Sequence, residues 1–269
     1  MRILFLGEIV GRCGIGVLKT ALKNYRNERN IDFVIANGEG ATSGFGLGFV
    51  NAQSIKYNMG VDVFTLGEKT YFKMDMVEGI SKKDWILRPM NYPEDAPGRG
   101  IRYFTVGDKK ICVINMLGMM SFNNPHLNNP FLSVEGIVEK ARQAANIVIV
   151  MFHARATAEK RAMFKLLEGR VSAVLGTHTK VLTADSTVEN GTAYISDLGR
   201  CGASDSVGGF DAESEIRIFR TQINARSKES WEKPEMQGAI VDFDDESGRA
   251  VSIEPVKFGV NCKMPERKD

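Results

Sequence analysis

Five side chains able to bind a metal or move a proton stand at one recurring place in the sequence. Glu8, Glu39, Glu68, His153 and His178 each follow directly on a short apolar run. Three carboxylates and two imidazoles form a donor set suited to Mn, Fe or Zn. Taken singly, each reads as a solvated loop residue or a structural histidine; the weight comes from the repetition. The chain has only three histidines, so imidazole chemistry has few carriers. The third, His126, lies in a turn-rich stretch over residues 121–130 and does not share the placement.

The runs that precede these residues read as strands over 2–6, 32–36, 62–66, 146–152, 171–175 and 192–195. They are nearly continuous in apolar residues, as suits strands covered on both faces. Apolar residues at helical spacing predict helices over 16–29, 51–58, 72–80, 133–144 and 157–168, with Ser133 and Thr157 as caps of the last two. Strand and helix alternate, which is the pattern of an α/β fold. In an open α/β sheet the carboxyl ends of the strands form the ligand crevice, so the five residues are placed to converge. Two hairpins, 101–106 with 110–116 and 239–243 with 250–256, add antiparallel pairs and point to mixed sheets or a two-sheet sandwich. With no repeat or low-complexity linker, residues 1–258 read as one domain and 259–269 as a polar tail.

Composition narrows the function classes. The chain has 269 residues, 43% hydrophobic and 25% charged, with a net charge of +2, which excludes a disordered, collagenous or coiled-coil chain. That balance argues against a broad nucleic-acid surface. Four cysteines are scattered without a C-x-x-C pair, so they read as reduced thiols and not as a zinc ribbon. No apolar run approaches a membrane span or a secretory signal, and the expectation is a cytoplasmic protein without a membrane segment. The Gly-rich segments 7–14 and 44–48 lack the endings of a P-loop or a dinucleotide fingerprint and read as turns near the crevice.

Taken in order, Gly7-Glu8-Ile-Val-Gly11, Asn37-Gly38-Glu39, Leu66-Gly67-Glu68-Lys69-Thr70, Arg88-Pro-Met-Asn-Tyr-Pro93, Phe152-His153-Ala154 and Gly176-Thr-His178-Thr-Lys180 resemble the bacterial YmdB-type branch of the calcineurin-like metallophosphoesterases. The resemblance runs from Met1 to about Ile253. It implies a four-layer α/β/β/α sandwich with mixed sheets, two metal ions at the strand ends, phosphodiesterase activity on cyclic nucleotides, and a homo-oligomer. In such sites two ions activate a bridging water and neutralise phosphate oxygens.

This chain departs from that pattern at six positions. Glu8 stands for Asp, Gly40 for Asn, Glu68-Lys69 for Asn-His, Arg155 for Glu, and Lys180 for the last histidine. The resemblance assigns Glu39, Glu68, His153 and His178 to one ion, and all four remain plausible ligands. The other ion's position, with Glu8, Gly40 and Lys180, is degenerate. A protonated Lys has donors and no acceptor, so Lys180 repels a cation. Its ammonium is expected to take the ion's place and pair with Glu8 and Glu39. Lys69, at the family's catalytic histidine, either serves the phosphoryl group as a cation or acid, or merely balances nearby carboxylates. The expected cofactor is none or one divalent metal (Mn, Fe or Zn). Two functions follow: a weakened phosphodiesterase for a small phosphodiester or cyclic nucleotide, or a catalytically silent pseudoenzyme that binds a ligand, regulates or assembles.

Overall fold

The computed structural model describes residues 1–120, 122 and 127–263. His126 and the last six residues of the expected tail lie outside the described residues. The chain runs β1 (Arg2–Val10), α1 (Gly11–Glu28), β2 (Phe33–Gly40), α2 (Phe49–Met59), β3 (Val63–Thr65), α3 (Met74–Gly79) and β4 (Ile86–Leu87). It continues through β5 (Ile101–Val106), β6 (Lys109–Leu117), α4 (Pro130–Ala144), β7 (Ile147–His153), α5 (Thr157–Leu167) and β8 (Ala173–Thr177). The last third holds β9 (Thr187–Glu189), β10 (Thr192–Ile195), β11 (Arg200–Ala203), α6 (Ala212–Thr221), β12 (Pro234–Phe243) and β13 (Ala250–Gly259).

These strands form two mixed sheets. One has seven strands in the order β13-β12-β11-β1-β2-β3-β4, and the other has six in the order β5-β6-β7-β8-β10-β9. Both expected hairpins are present as antiparallel pairs, β5 with β6 and β12 with β13. They edge cores whose neighbours run parallel: β1–β2–β3 in the first sheet, β6–β7–β8–β10 in the second.

Alternation along the strands builds the layers. Ile3 and Phe5 of β1 join Ile149 and Met151 of β7 in a core between the sheets. Leu4 and Leu6 face the other way, into a core with α1 and α2. Val148, Val150 and Phe152 likewise face α4 and α5. Side chains two apart share a face, so the result is the expected four-layer α/β/β/α sandwich. Each fully buried Leu, Ile or Phe contributes about 1.5–3 kcal/mol by leaving water, so three such cores hold the frame firmly. The same parity aims the site. Asn37 and Glu39 continue the face of Phe33 and Ile35, and His153 continues that of Ile149 and Met151, all toward the gap between sheets.

The structure corrects several boundaries. Helix α1 starts at Gly11 instead of residue 16, because Gly14 packs where a side chain would strike the Cys201 carbonyl. Three glycines in a short span mask a helix that forms through close packing and not through propensity. The cap of α4 is Asn129, whose Oδ1 accepts from Phe131 N at 3.0 Å ahead of Pro130, so Ser133 lies within the helix. Thr157 is the first residue of α5, and Ala156 precedes it without a side-chain cap. Val260 is buried and donates its N–H to Pro234 O, and Cys262 packs against the α1 core, so these residues of the expected tail are docked. Among the described residues no helix is long and apolar enough to cross a membrane.

Candidate metal centre

The strand ends bring Glu68, His153 and His178 together, with one donor atom from each within 4.8 Å of the others. His153 closes β7, His178 follows β8, and Glu68 follows β3. Glu68 Oε2 lies 2.9 Å from His153 Nε2, His153 Nε2 lies 3.1 Å from His178 Nδ1, and His178 Nδ1 lies 3.7 Å from Glu68 Oε2. A tetrahedral ion with bonds near 2.1 Å requires ligand–ligand separations of about 3.4 Å. The three atoms therefore trace one face of such a polyhedron, and the residues fit a divalent metal.

The imidazole of His153 is fully buried and held from behind. Its Nδ1 lies 2.9 Å from Thr177 Oγ1 and 3.3 Å from Asn37 Nδ2. With a metal bound, Nδ1–H would donate to the Thr177 hydroxyl and the Nε2 lone pair would face the ion, the usual support behind a metal-ligating histidine. Asn37 is itself fixed, since its Oδ1 accepts from Glu39 N at 3.1 Å. The phenyl ring of Phe122 lies parallel to His153 at 6.4 Å and edge-on to His178 at 5.1 Å. Burial pulls the His153 pKa down, against the pull of Glu68. Burial alone would raise the Glu68 carboxyl, but hydrogen bonds and charge from His153 and His178 hold it well below the ordinary range. A metal binds the neutral imidazole and the ionised carboxylate.

Glu39 stands outside this trio. Its carboxylate is completely buried and accepts two backbone N–H groups, Gly67 N at 2.6 Å and Lys69 N. It thus ties β2 to the loop that carries Glu68. Burial first, and repulsion by Glu68 second, push its pKa well up.

The second half of the site is built differently. Lys180 Nζ lies 3.2 Å from Glu8 Oε1 and 5.7 Å from the centre of the Phe210 ring. Glu8 Oε1 accepts no hydrogen bond among the described residues, so the contact with Lys180 is an ion pair. The expected second pairing of Lys180, with Glu39, is not formed among the described residues, because the Glu39 oxygens are taken by backbone N–H groups. Gly40 explains why Glu8 fits here. A Cβ at position 40 would lie 2.5 Å from Glu8 Oε1 and 3.1 Å from Ile9 O. The extra methylene of Glu8 fills the space a side chain at 40 would use.

Lys69 is also accounted for. Its Nζ donates to Gly44 O at 3.3 Å, lies 3.8 Å from Glu68 Oε1 and sits over the Phe45 ring at 5.9 Å. Burial works against its charge, but Glu8, Glu39 and Glu68 outweigh it, so its pKa is raised. An acid at neutral pH needs the opposite shift. The geometry matches a charge-balancing role.

Two supports were not evident from residue order. Residues His178 and Lys180 hold left-handed backbones, with φ of 104° and 62°. Between them Thr179 N donates to Asp197 Oδ2 at 2.8 Å, and Gly199 N donates to Asp197 Oδ1 at 2.9 Å. Lys160 Nζ reaches the same Asp197 Oδ2 at 2.9 Å from α5, and both side chains are buried. Arg200 Nη1 donates to Lys180 O at 2.6 Å. The strained turn is therefore pinned on both sides. Lys160 sits in the apolar pattern of α5, and that mismatch was the sequence signal for a buried ion pair.

A family model for YmdB-like proteins matches residues 4–256. The chain belongs to the YmdB-like family. A 2′,3′-cyclic-nucleotide 2′-phosphodiesterase from Bacillus subtilis (strain 168) is 36% identical over 260 residues, covering 95% of this chain and 96% of that protein. A novel phosphatase from Mycoplasma pneumoniae has a TM-score of 0.90 at 29% identity, with 96% of this chain and 93% of that chain covered. A Thermus thermophilus protein described as hypothetical has a TM-score of 0.89 at 32% identity, with 96% and 99% covered. The sandwich is that of the calcineurin-like metallophosphoesterases. The chain is thus a member of a metal-dependent phosphodiesterase family.

Proposed function

We propose that this YmdB-family chain holds at most one divalent ion, through Glu68, His153 and His178 with Glu39 beside them, and that its hydrolysis of 2′,3′-cyclic nucleotides or similar small phosphodiesters is weak or absent. The observation that carries this reading is the Glu8–Lys180 pair over Gly40. A longer carboxylate, a missing side chain and a fixed ammonium together fill one metal position with protein atoms.

A bound ion would supply Lewis-acid polarisation of a phosphoryl oxygen. The chain's own contribution is electrostatic and positional. Lys69 and Lys180 hold two positive charges beside the triad, suited to the nonbridging oxygens of a phosphodiester. Glu39 keeps the Glu68 loop in place. In two-metal sites the ions clamp both the attacking and the leaving oxygen. A lysine here neutralises charge but cannot present a bound hydroxide, which is the reason for expecting slow turnover.

The silent reading, a pseudoenzyme that binds a ligand or assembles, is favoured by internal charge pairing. Glu8 meets Lys180, and Glu68 meets His153 and lies near Lys69, so the carboxylates have cationic or hydrogen-bonding neighbours without metal. As parts of the same proposal, the protein is cytoplasmic and a homo-oligomer. Support comes from four free thiols and from α6, which buries no residue and exposes Ile216 and Phe219.

The test is turnover of 2′,3′-cyclic AMP with added Mn²⁺ by the wild type and by a variant combining Glu8→Asp, Gly40→Asn and Lys180→His. Rebuilding the second position is expected to raise turnover by at least about 100-fold, the scale of one lost electrostatic element. Fast wild-type turnover that the three changes leave unaltered would refute the reading.

A further inference from the structure

We propose that the phenyl ring of Phe45, presented beside Lys69 next to the metal triad, is the platform on which the base of a nucleotide ligand stacks. The inference rests on the reading that this centre receives a small phosphodiester, and it adds a residue that selects for the base.

A single exposed phenyl is ordinary on a protein surface. Phe45 differs in how it is held. It is 45% exposed and sits between Gly44 and Gly46, whose φ angles of 78° and 82° are both left-handed. Thr42 N donates to Gly46 O at 2.9 Å, and Gly46 N donates to Glu39 O at 2.9 Å. A Cβ at Gly44 would strike the Phe210 ring, and Leu47 is buried in the core with α1 and α2. The turn is thus bonded to β2 at Glu39 and packed at both ends. Glycine adopts these φ values at little cost, and the fixed backbone holds the ring in water instead of folding it into the core. The Gly-rich segment 44–48 serves here to present a side chain.

The neighbours of the turn supply the rest of the site. Lys69 Nζ sits over the Phe45 ring at 5.9 Å, donates to Gly44 O at 3.3 Å and lies 3.8 Å from Glu68 Oε1. One ammonium therefore lies against both the ring and the triad. Phe72, 57% exposed, stands across Gly46, where a Cβ would lie 3.2 Å from Phe72 Cβ. Phe210, packed on Gly44, has Lys180 Nζ at 5.7 Å. An apolar ligand would use the rings and leave the ammonium groups idle, and inorganic phosphate would do the reverse. A nucleotide uses both: its phosphate pairs with Lys69, and its base has a π-face for the ring, a contact tolerant of base identity.

The test compares adenosine 5′-monophosphate with ribose 5-phosphate, which lacks the base, by calorimetry on the Mn²⁺-loaded full chain. The wild type should hold the adenylate at least about fivefold more tightly, the scale of one stacked base. Phe45→Ala should remove that preference by weakening the adenylate and leaving ribose 5-phosphate unchanged. Phe45→Trp should keep the preference, and the added indole emission should be quenched by the adenylate and not by ribose 5-phosphate. Overturning results are no adenylate binding or no preference in the wild type, unchanged adenylate affinity in Phe45→Ala, or equal losses for both ligands, which would make Phe45 a support of the turn. None of these readouts is a turnover rate, so fast hydrolysis of a cyclic nucleotide would refute the proposed function and leave the platform standing.

Discussion

The two halves of the metal centre are a few residues apart in the same fold and have opposite electrostatic character. One half has a carboxylate and two imidazoles whose donor atoms stand at the separations of a coordination polyhedron. The other has a carboxylate already met by an ammonium, with a glycine where a third side chain would go. Both rest on the same kind of strand end, so the scaffold does not distinguish them. The difference lies in three side chains. Under the proposed reading, loss of a metal position here would be a coordinated replacement: the longer Glu8 needs the room that Gly40 provides, and its buried charge needs Lys180.

The comparison can be broken most severely at its shared support. Lys160→Met leaves Asp197 buried and unpaired beneath the turn that carries both His178 and Lys180. Removing one partner of a buried pair costs about 3–5 kcal/mol, so a large drop in the urea midpoint is expected, with loss of metal affinity. A variant as stable as the wild type would show that the pair does not brace the turn.

Next in size is Lys180→Met, which leaves the Glu8 carboxylate without its cation. A loss of a few kcal/mol in the metal-free protein is expected, on the scale of an uncompensated buried charge. Glu8→Gln in the same background should recover most of it. If the two changes are additive in a double-mutant cycle, the ion pair is not coupled and the second half of the site is not built as described.

His153→Ala sharpens the other half. It removes one of three converging donors, and metal affinity should fall by at least about 100-fold, beyond the 10–100-fold typical of lost supporting contacts. Folding should survive, because a neutral buried imidazole is replaced by a small apolar side chain. Retained affinity by calorimetry would contradict the triad.

The smallest effect lies outside the site and serves as a reference for it. Arg2 holds the Asp242 carboxyl below its ordinary pKa, chiefly through hydrogen bonds at 2.7 and 3.0 Å. A folded pKa below the unfolded one adds stability at neutral pH that is lost as pH falls through the carboxylate range. Both side chains are about one-third exposed, so screening limits the pair to below about 1 kcal/mol. Asp242→Asn should lower Tm slightly at pH 7 and not at pH 2.5.

Much of this was legible in the sequence. Apolar runs ending in Glu8, Glu39, Glu68, His153 and His178 located the strand ends, and period-two alternation aims Glu39 and His153 between the sheets. Departures from the family pattern drew attention to Glu8, Gly40 and Lys180, which the structure brings together. What residue order did not show depends on contacts between distant segments. Asp197 and Lys160 meet across 37 residues, and Arg200 reaches the carbonyl of Lys180. Glu39 carries the family's ligand identity, yet its oxygens bind the amides of Gly67 and Lys69, a detail set by how tightly the 67–69 loop packs. The early start of α1 and the whole of α6 were missed for related reasons. Glycines hid the first, and the second buries none of its residues, so no core-facing periodicity marked it.

The central claim is that protein atoms have replaced one of two ions. It is tested most directly by counting metal in the purified, Mn²⁺-loaded and desalted protein by elemental analysis per mole of chain. The account expects no more than one ion per chain, dependent on His153 and unaffected by Lys180→Met alone. Two tightly held ions per chain in the wild type would contradict it.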